Sequence, residues 1–193
     1  MRRAPVLVVL VALLMGVSGF LGVRAVRAPH ELVVASPALR FALPDGWHRY
    51  ERPADPSAAW VREAAATQHY TARDYVEHLA ASTLASAVGP ASGGRYQVVD
   101  VQTSGFAALP TAEQVASRMT QQAMQVDGTR TVSTGAGEVV VARGHYPLAE
   151  GRTDTEVIHL VSHGKALMIT VSAVGAGDVE AVTAEILATL RTS

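Results

Sequence analysis

Three histidines near the C-terminus are the residues of this sequence whose type and spacing could do chemistry. His159 and His163 have the H-x-x-x-H spacing that places two imidazole ligands on one turn of a zinc-binding helix. His145 lies in a neighbouring apolar run and could join either of them. These histidines are the candidate residues for an anchored hydrolase or a metal-dependent enzyme.

The residues around His159 and His163 favour a strand, because β-branched and aliphatic side chains dominate "TEVIHLVSH". Four residues along a strand span about 13 Å, which is too far for two side chains to share one ion. Adjacent strand residues point to opposite faces, so Ser162 and His163 cannot act as a nucleophile and its base. We therefore predict no metal site, no cofactor and no catalytic residue.

Two other pairs of polar residues have simpler explanations. Asp74 and His78 are four residues apart on a predicted helix, a spacing typical of a surface contact. Asp154 and Glu156 lie near the start of a predicted strand. We expect them to be solvated charges at the edge of a sheet.

Composition and charge exclude several classes of site. The chain has 193 residues, 49% hydrophobic and 17% charged, enough for one domain with a core. Four of the 16 basic residues and one acid precede residue 36, so the remainder carries a net charge of −4. This balance leaves no basic surface for nucleic acid. The absence of cysteine excludes disulfides, thiolate metal sites and lipid attachment through an N-terminal cysteine.

The N-terminus has the pattern of a membrane anchor. Two arginines precede 20 uncharged residues, from Ala4 to Val23, enough to cross about 30 Å of hydrocarbon as a helix. Secretion after signal cleavage is the alternative, but arginines occupy the flank "VRAVRAPHE", where a small-residue cleavage site would lie. We predict that residues 1–24 are a signal anchor or transmembrane helix and that the C-terminal domain is extracytoplasmic.

Small residues in the same segment leave a further role open. Gly16, Gly19 and Gly22 repeat at a three-residue spacing, and a small-residue face can pair transmembrane helices. An assembly component that dimerises through its membrane helix is therefore an alternative function.

The domain is predicted to occupy residues 38–193, after a linker at residues 25–37. "ALRFAL" alternates as a strand, "LPDG" suits a type I turn, and "WHRYER" would return as the second strand of a hairpin. Alternation along that second strand predicts that Trp47 is buried and His48 largely exposed.

Capping residues predict two helices in the middle of the domain. Thr71 begins the first, whose apolar face would continue to Ala87. Thr111 and Gln114 form a capping box that begins the second, whose apolar face would continue to Val126.

The C-terminal third is predicted to be antiparallel strands and a closing helix. "TRTVST", "EVVVARGHY", "TEVIHLVSH" and "KALMITVSA" are β-rich runs separated by Gly and Asp. His163-Gly164 would join the last two strands as a tight hairpin, and Asp178 would cap the helix. This order of elements predicts an α+β fold, an antiparallel β-sheet flanked by helices as an α/β/α sandwich.

"RFALPDGW" resembles the "vPdGW" opening of PsbP-like domains, which occur in small actinobacterial lipoproteins and in nuclear-import Mog proteins. The closing segment "TEVIHLVSHGKALMITVSAVGAGDVEAVTAEILATLR" resembles their last hairpin, turn and helix. The resemblance covers the two ends of residues 36–193, and this chain lacks the lipobox cysteine of the lipoproteins. The resemblance implies a non-enzymatic cell-envelope domain without catalytic residues.

The anchor, the absence of a catalytic constellation and the resemblance together predict a membrane-anchored extracytoplasmic binding or accessory protein of the cell envelope that is not an enzyme. Its expected partners are the membrane, through the N-terminal helix, and an envelope protein complex or glycolipid. No nucleic acid is expected among them.

Overall fold

A computed structural model describes residues 31–35, 38–50, 56–57, 71–74, 77, 83–89, 96–148, 151–174 and 178–192. The elements that the structure describes from end to end are ten strands and two helices, and residues 72–74 and 77 are also helical. The strands are β1 (Glu31–Val34), β2 (Leu39–Ala42), β3 (His48–Tyr50), β4 (Thr83–Val88), β5 (Tyr96–Thr103), β6 (Gln125–Thr134), β7 (Gly137–Leu148), β8 (Gly151–Ser162), β9 (Lys165–Val174) and β10 (Arg191–Thr192). The helices are α1 (Ala112–Gln121) and α2 (Val179–Thr189). This mixture confirms the predicted α+β class.

The described strands form two antiparallel sheets. β1, β2 and β10 make a three-stranded sheet with β2 in the centre. The other seven strands make a sheet in the order β3-β4-β5-β9-β8-β7-β6. Most neighbours in this sheet are consecutive in the chain, but β9 lies between β5 and β8. The edge strands of this sheet are β3 and β6.

The seven-stranded sheet carries an apolar core on each face. On β7, Val139 and Val141 belong to one core, whereas Val140 and Ala142 belong to the other. The first core also contains α2 and the buried side of the three-stranded sheet, and the second contains α1. We call the two sides the α2 face and the α1 face. Burial on both faces explains why the run from Val139 to Ala142 in β7 is continuously apolar, without polar alternation.

The predicted hairpin at residues 38–52 is wrong, although its turn exists. Trp47 N donates to Pro44 O at 3.3 Å and Gly46 has a φ of 83°, which is a type II turn one residue later than predicted. A type II turn splays the flanking strands, so β2 pairs with β1 and β10 while β3 pairs with β4. Trp47 is buried, as predicted. The exposure predicted for the His48 side chain lies outside what the structure describes.

The folded domain includes residues that the sequence placed in the linker. β1 pairs with β2, and Leu32 and Val34 are buried in the first core. Val33, between them, is 46% exposed, as strand alternation requires. The sequence predicts a linker here because prolines occupy positions 29 and 37. The run between them is too short to show the alternation that marks a strand.

Two predicted helices are shorter than their apolar spacing suggested. The Thr71 hydroxyl accepts from Asp74 N at 3.1 Å, so the first cap forms. Thr83–Val88, however, is strand β4 and not the end of that helix. α1 ends at Gln121, and Val126 belongs to β6. At both places cross-strand pairing overrides a helical spacing of apolar residues.

The predicted C-terminal hairpin forms as expected. Ser162 pairs with Lys165, which leaves His163 and Gly164 as a two-residue turn. Both turn residues have positive φ, 47° and 73°, as a type I′ turn requires. The hairpin aligns β8 with β9 and so sets which residues of β8 face each core.

Both predicted helix caps in the second half of the chain are confirmed. Thr111 Oγ1 accepts from Gln114 N, and Gln114 Oε1 accepts from Thr111 N at 2.9 Å, which completes the capping box. Asp178 Oδ1 accepts from Ala181 N at 2.8 Å and begins α2. These caps satisfy backbone N–H groups that a helix leaves without intrahelical partners.

Two further sequence predictions lie outside the described residues. One is the membrane segment at residues 1–24, and the other is the contact between Asp74 and His78. In the part of the chain that the structure describes, no helix is both long and apolar enough to span a bilayer. The membrane anchor therefore stays a prediction from the sequence.

Candidate functional site

His159 lies in β8 on the α1 face and is only 4% exposed. Its Nδ1 is 3.4 Å from the hydroxyl of Ser104, which directly follows β5. The Phe106 ring meets the imidazole edge-on, with ring centroids 5.3 Å apart. The guanidinium of Arg118, on α1, lies over the Phe106 ring at 5.3 Å. We call these four residues the His159 cluster.

Backbone contacts position the loop that contributes Ser104 and Phe106. Ser104 N donates to Ala166 O at 2.9 Å, which extends the pairing of β5 with β9 by one residue. Phe106 N then donates to the Ser104 hydroxyl at 3.2 Å. The Ser104 hydroxyl is therefore already engaged by the loop that it stabilises.

The electrostatics of the His159 cluster keep its imidazole neutral. Burial, and to a smaller extent the positive charge of Arg118, lowers the pKa of His159 to about 4. A base with so low a pKa is poorly matched to proton abstraction at neutral pH. The cluster therefore contains a hydroxyl beside an imidazole, but its geometry and charge suit packing between the loop and the sheet.

His145 lies on the opposite, α2 face. Its Nδ1 is 3.1 Å from Asp127 Oδ1. The pairing of β6 with β7 shifts register between Val126 and Gly128, so Asp127 is the extra residue of a β-bulge. The bulge lets the Asp127 side chain reach His145 across the two strands.

The hypothesis that His145, His159 and His163 share one site is wrong. His145 and His159 lie on opposite faces of the sheet, and His163 is exposed in the turn between β8 and β9. Among the residues described, no three His, Cys, Asp or Glu side chains are grouped as metal ligands. Ser162 is buried, and its hydroxyl donates to Ala38 O at 3.2 Å.

An open depression lies on the α2 face, beside the pair formed by His145 and Asp127. It is a cavity of about 430 Å³ to which three consecutive strands each contribute an arginine. Its lining residues are Asp127, Gly128, Thr129, Arg130, Arg143 and Arg152. We call it the arginine depression. A Cβ added at Gly128 would meet no atom within 4 Å, so the space beside this residue is open.

Two acidic residues beneath the arginine depression are buried. Glu156 is fully buried, with its Oε2 3.5 Å from Arg130 Nη2. Asp154 is 8% exposed and lies 3.1 Å from Arg152 Nε. The prediction that Asp154 and Glu156 are solvated edge charges is therefore wrong. β8 is an interior strand, and the side chains of neighbouring elements cover both carboxylates.

The third arginine of the depression has an exposed partner. Arg143 Nη1 donates to Glu180 Oε2 of α2 at 2.7 Å, and the side chains are 35% and 67% exposed. Exposed ion pairs contribute little to stability, so this contact can open at small cost. Arg143 is therefore the guanidinium of the three whose partner is most easily replaced by a ligand.

Sequence reasoning missed the three arginines because they form no motif. Arg130, Arg143 and Arg152 lie on three consecutive strands, β6, β7 and β8, at irregular intervals along the chain. Only the register of the three strands brings them to one cavity. The sequence does predict the series of antiparallel strands that carries these arginines. Without the register of the strands, however, it does not indicate which charged side chains become neighbours.

Comparisons with known proteins leave the family open. No family model matches the chain, and no curated protein matches it. The structure is similar to LpqN of Mycobacterium tuberculosis, involved in cell envelope biogenesis, with a TM-score of 0.44 and 13% identity over 83% of this chain and 90% of that chain. It is also similar to PA94, a Pseudomonas aeruginosa protein of unknown function, with a TM-score of 0.35 and 16% identity over 47% of this chain and 69% of that chain. Neither similarity assigns the chain to a family, and the PsbP-like resemblance stays a prediction.

Proposed function

We propose that this protein is a membrane-anchored binding or accessory protein of the cell envelope, with its folded domain outside the cytoplasm. The observation that carries the binding role is the arginine depression, an open polar cavity of about 430 Å³ on the α2 face. The location rests on the 20 uncharged residues from Ala4 to Val23.

The buried acids support a ligand site at this position. Burying a carboxylate such as Glu156 costs several kcal/mol of desolvation, and a single 3.5 Å contact with Arg130 is a weak compensation for it. Its Oε1 accepts no hydrogen bond from the residues described. Polar groups that a fold keeps at such a cost are typical of functional sites. Here they orient arginines around an open cavity, as a binding site requires.

A hydrolase is the second candidate, supported by the 3.4 Å contact between the Ser104 hydroxyl and His159 Nδ1. Phe106 N already donates to that hydroxyl, and the low pKa of His159 makes it a weak base. Ester hydrolysis by the purified protein that is lost in both Ser104→Ala and His159→Gln would establish this alternative over a binding role.

Membrane fractionation and protease access test the location. We expect the full chain with a C-terminal tag to stay in bacterial membranes after an alkaline wash, and the tag to be digested in intact spheroplasts. Leu13→Arg together with Leu14→Arg should release the chain, because arginine at the centre of a membrane helix costs about 2.5–3.5 kcal/mol. Recovery of the wild-type chain in the soluble fraction, or protection of the tag, would contradict the proposal.

Co-purification from the protein's own membranes tests the binding role. Material enriched with the wild-type chain should be lost from Arg130→Gln/Arg143→Gln and retained by Arg191→Gln. Arg191 is a matched control because it is 50% exposed and pairs with Glu31 at 3.1 Å, outside the depression. If the wild type and both variants co-purify with the same material, the arginine depression has no role in binding it.

A further inference from the structure

We infer that the arginine depression binds the phosphate group of a ligand. This inference rests on the proposed binding function and specifies the ligand's chemistry. Arg130, Arg143 and Arg152 all line one cavity. Guanidinium forks match the oxygen geometry of carboxylate and phosphate, with two parallel N–H donors for each pair of oxygens.

The number of guanidinium groups favours phosphate over carboxylate. One arginine fork satisfies the two oxygens of a carboxylate, whereas a phosphate presents three or more oxygens and up to two negative charges. Each guanidinium carries five N–H groups. Arg143 and Arg152 each donate one hydrogen bond to a carboxylate, and Arg130 makes a single contact with Glu156 at 3.5 Å. Within the part of the chain that the structure describes, most N–H donors of these three arginines therefore have no protein acceptor.

The nearby carboxylates orient the arginines without closing the cavity. Glu156 and Asp154 are buried and are not part of the lining, so their charges lie behind the guanidinium groups that a ligand would meet. Asp127 is part of the lining, but it contacts His145. Glu180 is exposed on α2 and holds only Arg143. A ligand phosphate can replace Glu180 while the buried acids keep Arg130 and Arg152 in position.

Gly128 provides the space for the ligand. It lies opposite Arg143 in the register of β6 and β7, and a Cβ there would meet nothing within 4 Å. Its φ is not in the left-handed region, so a larger residue is compatible with the backbone. Gly128→Leu therefore adds a bulky side chain to the cavity lining without removing any charge.

Phosphate titration of the full chain in neutral detergent tests the inference. We expect inorganic phosphate to raise Tm with a saturating concentration dependence that chloride at matched ionic strength does not reproduce. Arg143→Gln should weaken phosphate binding by about tenfold or more, as for a lost charge-assisted hydrogen bond. Gly128→Leu should abolish it, and Arg191→Gln should leave it unchanged. Far-UV circular dichroism of each variant confirms that it is folded.

Mixed micelles distinguish two sources of the phosphate. If phosphatidylglycerol in the micelles competes with inorganic phosphate, the site binds a lipid headgroup; if it does not, the ligand is a soluble phosphorylated compound. Either result supports the inference. Equal Tm shifts in phosphate and chloride, or equal phosphate affinity in wild type, Arg143→Gln and Gly128→Leu, would overturn it. The membrane fractionation can fail while phosphate binding holds. A wrong envelope location is therefore distinguishable from a wrong ligand.

Discussion

At the residue scale, the protein accommodates buried polar side chains in two ways. His159 is buried beside Phe106 and stays neutral, because burial and Arg118 lower its pKa to about 4. Glu156 is also buried but lies against Arg130. The neutral imidazole stabilises packing on the α1 face, whereas the carboxylate positions a charged group on the α2 face. Burial alone therefore does not distinguish a packing residue from one that supports a site.

Stability should fall with acidification because His159 is neutral when folded. In the unfolded chain its pKa is near 6.5, so between about pH 6.5 and 4 the unfolded state binds the extra proton. We expect its contribution to be complete above pH 6.5 and to be lost as the pH falls toward 4, by at most about 3 kcal/mol. Urea unfolding as a function of pH measures this loss.

The variants His159→Phe and Met168→Leu separate titration from packing. His159→Phe removes the titrating ring and should flatten that part of the pH dependence. Met168→Leu, at the cross-strand position, keeps the imidazole and should retain the slope. A His159→Phe protein with the wild-type pH profile would assign the acid sensitivity to other groups.

At the element scale, turns and caps are where local sequence chemistry has its most direct effect. The Thr111 capping box, the Asp178 cap and the His163-Gly164 turn form as their residue types predict. The turn before Trp47 also forms, but its type sends β2 and β3 into different sheets. A turn signal therefore specifies a reversal of the chain and leaves the pairing partner open.

The turn between β8 and β9 should depend on left-handed backbone conformations. Gly164→Ala should destabilise the protein by about 1–2 kcal/mol, because an L-residue with a Cβ disfavours a φ of 73°. His163→Asn should stabilise it slightly, since Asn-Gly is the preferred type I′ pair. Thermal unfolding compares the variants. A neutral Gly164→Ala with a destabilising His163→Asn would show that this turn is not type I′.

At the scale of the whole molecule, two cores on opposite faces hold the seven-stranded sheet. The first core joins the three-stranded sheet and α2 to one face, and the second lies under α1. The arginine depression lies on the α2 face, beside α2, where charged side chains of β6, β7 and β8 meet. The binding cavity is therefore a product of how the sheets and α2 assemble.

Paired substitutions in β1 test whether residues before position 38 belong to the fold. Leu32 is 2% exposed and lies in the first core, whereas Val33 is 46% exposed. Leu32→Ala should cost about 2–5 kcal/mol of unfolding free energy. Val33→Ala should cost at most about 1 kcal/mol. Urea unfolding measures both free energies. Equally small losses in the two variants would show that residues 31–34 are a linker and not part of the fold.

The sequence alone determined the α+β class, the C-terminal strands and the helix caps, because residue type and period encode these locally. Trp47 belongs to the same group, since a large apolar side chain after a turn is expected in a core. The sequence alone could not determine that Thr83–Val88 is a strand or that β1 belongs to the domain. Both strands depend on pairing with other segments of the chain.

Only the tertiary structure decided the candidate site. Register and sheet order place Arg130, Arg143 and Arg152 around one cavity, bury Glu156 beneath them and separate the histidines on two faces. The three arginines lie on separate strands, so no spacing in the chain connects them. Charges become a site when strand register fixes their neighbours, and register is the information that a single sequence carries least directly.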